Sequence, residues 1–268
     1  MTDADEFIRL AHITNSLREP VLRAAIQALH FPLGSHGLDA ACGVGLQALL
    51  LAEQVGPAGH VTGLDLSPAF LAHARDVVQE AGLSQRISFR EGDVNQLPFD
   101  DDNFNWAWSV DCVGYAPMDP LPPMRELIRV VKPGGTVALL AWSSEQLLPG
   151  HPLLEARLQA TASGMAPFIR GQAPGKHFMR ALGWFRALGL SEPKAQTFAC
   201  GVHAPLSAGL RSALVALFEM RWPGVESELA PEDWAAYQRL CLPASPDFVI
   251  DHPDYCAFFT YSMFHARV

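Results

Sequence analysis

The stretch Gly37-Leu38-Asp39-Ala40-Ala41-Cys42-Gly43-Val44-Gly45, with the apolar run Leu46 to Ala52 behind it, constrains the fold more than any other part of the chain. It reads as a short strand ending near Asp39, a turn with two glycines and then a helix. Positions without side chains let a ligand approach the backbone, and the first turn of a helix offers N–H groups with no partner of their own. That is the pattern of a nucleotide-type site.

The rest of the first half extends it. His60 to Leu66 reads as a second strand that closes on Asp65, and Ser67-Pro68 opens a helix ended by Gly82, with Phe70, Leu71, Ala74, Val77, Val78 and Ala81 on its inner face. Arg86 to Arg90, Phe104 to Val110 and Thr136 to Trp142 read as further strands, with a helix from Met124 to Val131 before the Lys132-Pro133-Gly134-Gly135 turn. Strands alternating with helices of these lengths imply a parallel sheet. Ahead of them, residues 4–30 read as helical, with Pro20 in a first-turn position and Arg18 just before it.

Beyond residue 142 the pattern loosens. A loop-rich stretch over 143–175 holds a short helix at 151–163; a helix at 176–188, a strand near 195–200, helices over Leu206 to Trp222 and Pro231 to Leu240, and a last strand from Ala257 to His265 follow. The expectation is one domain of α/β class: a doubly wound, mostly parallel seven-stranded sheet, Rossmann-like, with an N-terminal helical cover over 1–33, a ligand-binding core over 34–142, and insertions at 143–175 and 205–256 that form an acceptor-side lid.

Composition excludes several alternatives. The 268 residues carry 19 basic and 28 acidic side chains, a formal charge of −9, with no basic run of the kind that tracks a phosphate backbone, so no nucleic-acid partner is expected. The five cysteines are scattered, without a C-x-x-C pair or a metal-ligand spacing, so free thiols and no metal are expected. The acidic N-terminus differs from a secretory signal, and no uncharged apolar run is long enough to cross a bilayer. The expected location is the cytoplasm, without a membrane partner.

Gly43-Val44-Gly45-Leu46-Gln47-Ala48 also satisfies the loose dinucleotide fingerprint, with Asp65 as a ribose acid, which makes a nicotinamide oxidoreductase one alternative. Asp39 argues against it, because a carboxylate at the loop mouth repels a pyrophosphate and attracts a cation. Taken together, Asp39 through Gly45, Asp65, Gly92-Asp93-Val94, Leu97-Pro98-Phe99, the strand ending in Ser109 and Val130 through Gly135 resemble the successive motifs of class I S-adenosylmethionine-dependent methyltransferases. The closest resemblance is to small-molecule enzymes similar to the ubiquinone/menaquinone C-methyltransferases.

The resemblance implies roles position by position. Asp39, Ala40, Gly43 and Gly45 would line the methionine end of S-adenosylmethionine, with Asp39 on its ammonium. Asp65 would take both ribose hydroxyls, Leu66 would pack on the adenine, Asp93 would accept from its exocyclic amine, the Val94 backbone would meet the ring, and Ser109 would sit beside the sulfonium. Ala41 departs from the glycine often found there. Arg18 either reaches the loop mouth to pair with a ligand carboxylate or is a solvated surface residue. Where the acceptor must lose a proton, a base is needed. Asp111 is a candidate base or orienting acceptor and Tyr115 a hydrogen-bonding wall; both can equally be structural. His151, His177, His203 and His252 are base candidates by location alone, and Trp222, Trp234, Phe248 and Tyr255 suggest an apolar pocket or core. The function so implied is methyl transfer to a small, partly apolar acceptor, with a non-catalytic cofactor-binding protein as the other alternative; oligomeric state is not legible.

Overall fold

A computed structural model describes residues 3–115 and 118–268. In chain order the elements are α1 (Asp3–Leu29), β1 (His36–Ala40), α2 (Leu46–Val55), β2 (His60–Asp65), α3 (Pro68–Glu80), β3 (Ile87–Glu91), β4 (Phe104–Val110), α4 (Leu121–Val130), β5 (Val131–Gln146), α5 (Pro152–Gln159), α6 (Ala162–Met165), α7 (Ala181–Ala187), β6 (Lys194–His203), α8 (Ala208–Arg221), α9 (Pro231–Cys241) and β7 (Cys256–Arg267). The seven strands form one sheet in the order β3-β2-β1-β4-β5-β7-β6. The first five run parallel, and β7 is antiparallel to both β5 and β6. The expected doubly wound architecture is the observed one, and the order reverses between β1 and β4, where an open sheet leaves a crevice beyond its carboxyl ends.

Side-chain alternation divides the interior between the two faces of the sheet. Along β5, Ala138 and Leu140 join a core built with α1, α2 and α8, while Val137, Leu139 and Ala141 join one built with α4 and α7. The centre of the first core is Trp106. Its indole stacks on Phe31 with centroids 4.2 Å apart and donates from Nε1 to Ser35 Oγ at 2.9 Å. Its register partner in β1 is Gly37, and a Cβ built there would lie 2.0 Å from the indole. Gly37 is therefore glycine because the indole lies against its backbone.

Several sequence expectations change. Residues 3–29 form one helix with Pro20 inside it, so Arg18 lies in mid-helix rather than before a helix start. β5 continues to Gln146, into the stretch expected as loop. The helix expected over 151–163 is two, α5 and α6, separated where Thr161 caps the second by accepting from Gly164 N. The helix expected over 176–188 begins as a 3-10 turn, Phe178–Arg180, and α7 ends before Gly189. The expected caps at Ser67 and Ser207 are present: each Oγ accepts the backbone N–H three residues on, from Phe70 and Leu210. Leu97-Pro98-Phe99 is structural, tied by its backbone carbonyls to Arg129 and by Leu97 N to Glu126 Oε2.

Replacing Gly37 by alanine forces the new methyl into Trp106. The expected loss of stability is about 1–3 kcal/mol, the range for overpacked cores. Urea titration should show a lower midpoint with an unchanged slope; an unchanged midpoint would contradict the packing described.

Candidate functional site

Beyond the carboxyl ends of β1 and β4 lies a cavity of about 440 Å³. Its floor is the turn after β1, with Ala41, Cys42, Gly43, Val44, Leu46 and Gln47; Asp65 stands at the end of β2, and Val110, Asp111, Cys112 and Tyr115 follow from β4. Its roof is helical. Phe7, Ala11, Thr14, Asn15 and Arg18 recur at the spacing of one helix face on α1, and Leu217, Met220 and Arg221 face them from α8. α1 is further held over α3 by the stacked rings of Phe7 and Phe70, 4.7 Å apart, and by a hydrogen bond shared between His12 Nε2 and His73 Nε2 at 2.6 Å.

The floor follows from local chain geometry. Gly45 caps α2 at φ 80, and a Cβ there would approach Ala74 of α3 to 2.8 Å, so both its backbone and its packing require glycine. Ala41 also has positive φ, 62, which a non-glycine residue adopts at some cost in strain. The turn delivers Gly43 N to Asp65 Oδ2 at 2.9 Å, while Asp65 Oδ1 accepts from Ser67 N at 2.9 Å. Asp65 is thus fixed at the rim before any ligand arrives.

Asp39 differs. It is only 2% exposed, and its Oδ2 has no hydrogen-bond partner. Burial, with Asp65 nearby as the lesser cause, pushes its carboxyl up to about 7. A buried carboxylate with an unpartnered oxygen is a place for a cation or a hydrogen-bond donor.

The remaining expected residues divide. Arg18, Gly43, Asp65, Asp111 and Tyr115 line the cavity, whereas Ala40 and Gly45 lie behind its floor, Ala40 fully buried in the core. Leu66 is 68% exposed at the outer end of β2. Past the end of β3, Asp93 Oδ1 accepts from Asn95 N at 2.8 Å, and Val94 is buried beside it. Ser109 is buried, with its Oγ accepting Val113 N at 3.4 Å, so it supports the turn after β4 rather than facing the cavity.

Arg18 is neither solvated nor unpaired. Its Nη2 donates to Asp111 Oδ2 at 2.6 Å and its Nε to Tyr261 Oη at 2.9 Å. Burial pulls the guanidinium pKa down, and the Tyr261 and Asp111 contacts more than restore it. Tyr261 Oη also donates to Asp111 Oδ2 at 3.0 Å, and Trp142 N donates to Asp111 Oδ1 at 2.9 Å. Asp111 itself holds φ 50. A second network lies beside the first: Glu145, with a side chain 2% exposed, accepts from Arg221 Nε and Trp142 Nε1, both at 2.7 Å, and Arg221 Nη2 donates to Gly164 O at 3.0 Å. Tyr115, Trp142 and Arg221 also border an adjoining cavity of about 240 Å³.

Phe7, Phe70, Trp142, Arg221 and Tyr261 were not among the expected site residues. The α1 spacing at 7, 11, 14, 15 and 18 was a legible signal; nothing local marks Arg221, whose partner is 76 residues away. Trp222, Phe248 and Tyr255 are buried in the core, Trp234 stacks on Tyr237, and none of His151, His177, His203 and His252 lines the 440 Å³ cavity. Among the described residues there is no cluster suited to a metal, and no helix is long and apolar enough to cross a membrane.

Residues 38–135 match the family described as a methyltransferase domain. The demethylmenaquinone methyltransferase of Listeria welshimeri is 37% identical over 117 residues, 44% of this chain and 48% of that protein. Methyltransferase GfsG of Streptomyces halstedii is 38% identical over 113 residues, 42% of this chain and 40% of that protein. The chain spans about half the length or less of these curated relatives. A solved structure described as a SAM-dependent methyltransferase from Aquifex aeolicus superimposes with a TM-score of 0.56 over 100% of both chains at 13% identity, a likeness of fold.

Asp39 makes stability depend on pH. Its folded pKa, about 7, lies above the ordinary carboxylate value. Its stabilising contribution is therefore present below about pH 4 and is lost as pH rises through 7, by at most about 4 kcal/mol. For the ligand-free protein, Asp39→Asn is expected to raise the melting temperature at about pH 8 and to change it little at about pH 4; equal shifts at both would contradict the burial effect.

Proposed function

We propose, from the match of residues 38–135 to the methyltransferase-domain family, that this chain transfers a methyl group from S-adenosylmethionine to a small, partly apolar acceptor. The observation that carries the reading is Asp39, a buried carboxylate with an unpartnered oxygen beneath the glycine turn. It suits the ammonium of the cofactor, whose arrival would hold the carboxylate ionised. Asp65, fixed at the rim by Gly43 N and Ser67 N, would accept from the ribose hydroxyls. Leu66, exposed at the strand end, and Asp93 with Val94 would border the adenine.

When bound, the cofactor supplies a methyl group on a positively charged sulfur that leaves as a neutral thioether. The chain's own work is then to orient and to exclude water. Val110, Cys112 and Tyr115 are the β4-end groups beside which the sulfonium would lie, in place of Ser109, and next to which the acceptor would meet it. The faces of α1 and α8 would close over it, which gives the 205–256 insertion the role of acceptor-side cover, while 143–175 borders the adjoining chamber. Asp111, held by Arg18, Tyr261 and Trp142 N, would act as an anchor of the roof rather than a base. The acidic balance supports a small molecule over a nucleic acid as partner, and five cysteines that are all free support a reducing compartment such as the cytoplasm.

The test is binding and turnover together. Asp65→Ala should weaken S-adenosylhomocysteine binding by one to two decades in calorimetry, the loss of charge-assisted hydrogen bonds of about 1.5–3 kcal/mol. Transfer of labelled methyl to small molecules of a cell extract should vanish with it. Unchanged affinity in the variant would refute the site, and label entering only RNA or protein would refute the acceptor class.

A further inference from the structure

A phenol, an alcohol or an acidic carbon must lose a proton before it accepts a methyl group. Among the described residues that line the 440 Å³ cavity there is neither a histidine nor a lysine. Its two carboxylates are engaged: Asp65 accepts from Gly43 N and Ser67 N, and Asp111 accepts from Arg18, Tyr261 and Trp142 N. To take a proton, Asp111 would have to give up a 2.6 Å pairing with a guanidinium that is only 22% exposed. The thiol of Cys112 and the phenol of Tyr115 are held neutral by burial, which pushes Cys112 up to about 11 and Tyr115 further above its ordinary value.

What the cavity offers instead is donors. Arg18 and Arg221 share one arrangement: each ties its Nε and Nη2 to the protein, Arg18 to Tyr261 and Asp111, Arg221 to Glu145 and Gly164 O. Neither Nη1 has a hydrogen-bond partner among the described residues, neither is among the buried atoms left without one, and both residues line the cavity. The side chains are 22% and 17% exposed. Tyr115 lines the same cavity as both arginines.

We infer that the acceptor is bound as an oxyanion, ionised before transfer, and that the free Nη1 donors of Arg18 and Arg221 hold it beside Tyr115. The inference rests on the methyl-transfer reading and names its acceptor class: a phenol or enol acidic enough to ionise within the site near neutral pH. In the transfer, an oxygen lone pair forms the new bond to the methyl carbon while the carbon–sulfur bond breaks and its electron pair stays on sulfur. No proton moves, so no base is required.

The experiment uses the full chain and first measures S-adenosylhomocysteine binding by calorimetry, since its absence would overturn the methyl-transfer reading itself. With that ligand saturating, 4-nitrophenol is added and its phenolate absorbance followed across pH, with 4-nitroanisole as the uncharged isostere. The expected result is an ionisation of the bound phenol moved down by about one pH unit or more, and phenolate binding at least about tenfold tighter than the anisole. Arg221→Gln should remove most of that preference and Arg221→Lys restore part of it, with S-adenosylhomocysteine affinity retained in both as the check on folding. Equal binding of phenolate and anisole, no binding of either up to about 10 mM, or a preference untouched by Arg221→Gln would overturn the inference while leaving the methyl-transfer reading in place.

Discussion

The Arg18–Asp111 ion pair, completed by the Tyr261 hydroxyl, puts a helical roof over the crevice. A doubly wound sheet alone leaves only a cleft beyond its carboxyl ends. Here one charge lies in the N-terminal helix and the other just past β4, while Tyr261 reaches in from β7 and Trp142 N from β5. Four segments distant in sequence therefore meet on one carboxylate. Removing two charges from water is expensive, and such a pair is retained only where the geometry is good and the remaining lone pairs are satisfied. Asp111 meets that condition with three donors, and its left-handed backbone, φ 50, turns the side chain back toward β5.

The Glu145–Arg221 pair repeats the design on the α8 side, with Trp142 between the two networks, donating from its backbone to Asp111 and from its indole to Glu145. Each cation is matched by an anion, so the roof adds little net charge to the chamber. What it adds is direction: each guanidinium is held through its Nε and Nη2, so its orientation is fixed. In a low-dielectric setting such fixed dipoles act more strongly than the same groups in water.

The first half of the fold was legible because its signals are local. The glycine turn, the Ser67-Pro68 cap and the acids at the ends of β1 and β2 each declare themselves within a few residues, and Asp65 stands at the rim as its strand-end position implies. Ser109 shows the limit of that reasoning. Its position at the end of β4 was right, yet its hydroxyl is drawn inward to Val113 N, a contact set by a turn that no pattern reveals. Arg18, Arg221 and Tyr261 were harder still, since their partners lie 93, 76 and 150 residues away and only the folded chain brings them together. The second half also lacks strand-to-helix punctuation, so β5 ran past its expected end and α5 and α6 read as one helix.

Asp39 and Asp65 sit at the ends of neighbouring parallel strands under opposite regimes. Asp65 is satisfied by backbone N–H groups in advance, so a ligand finds it already aimed and little ordering remains to oppose binding. Asp39 is buried with an oxygen unmatched, a conflict that local packing does not resolve and that destabilises the ligand-free fold at neutral pH and above. A cation arriving at that oxygen would remove a penalty already present in the free protein, adding to the attraction it brings. The same turn thus divides two tasks, one acid preorganised for recognition and one held in deficit, and both follow from how far each strand end lies beneath the glycine loop.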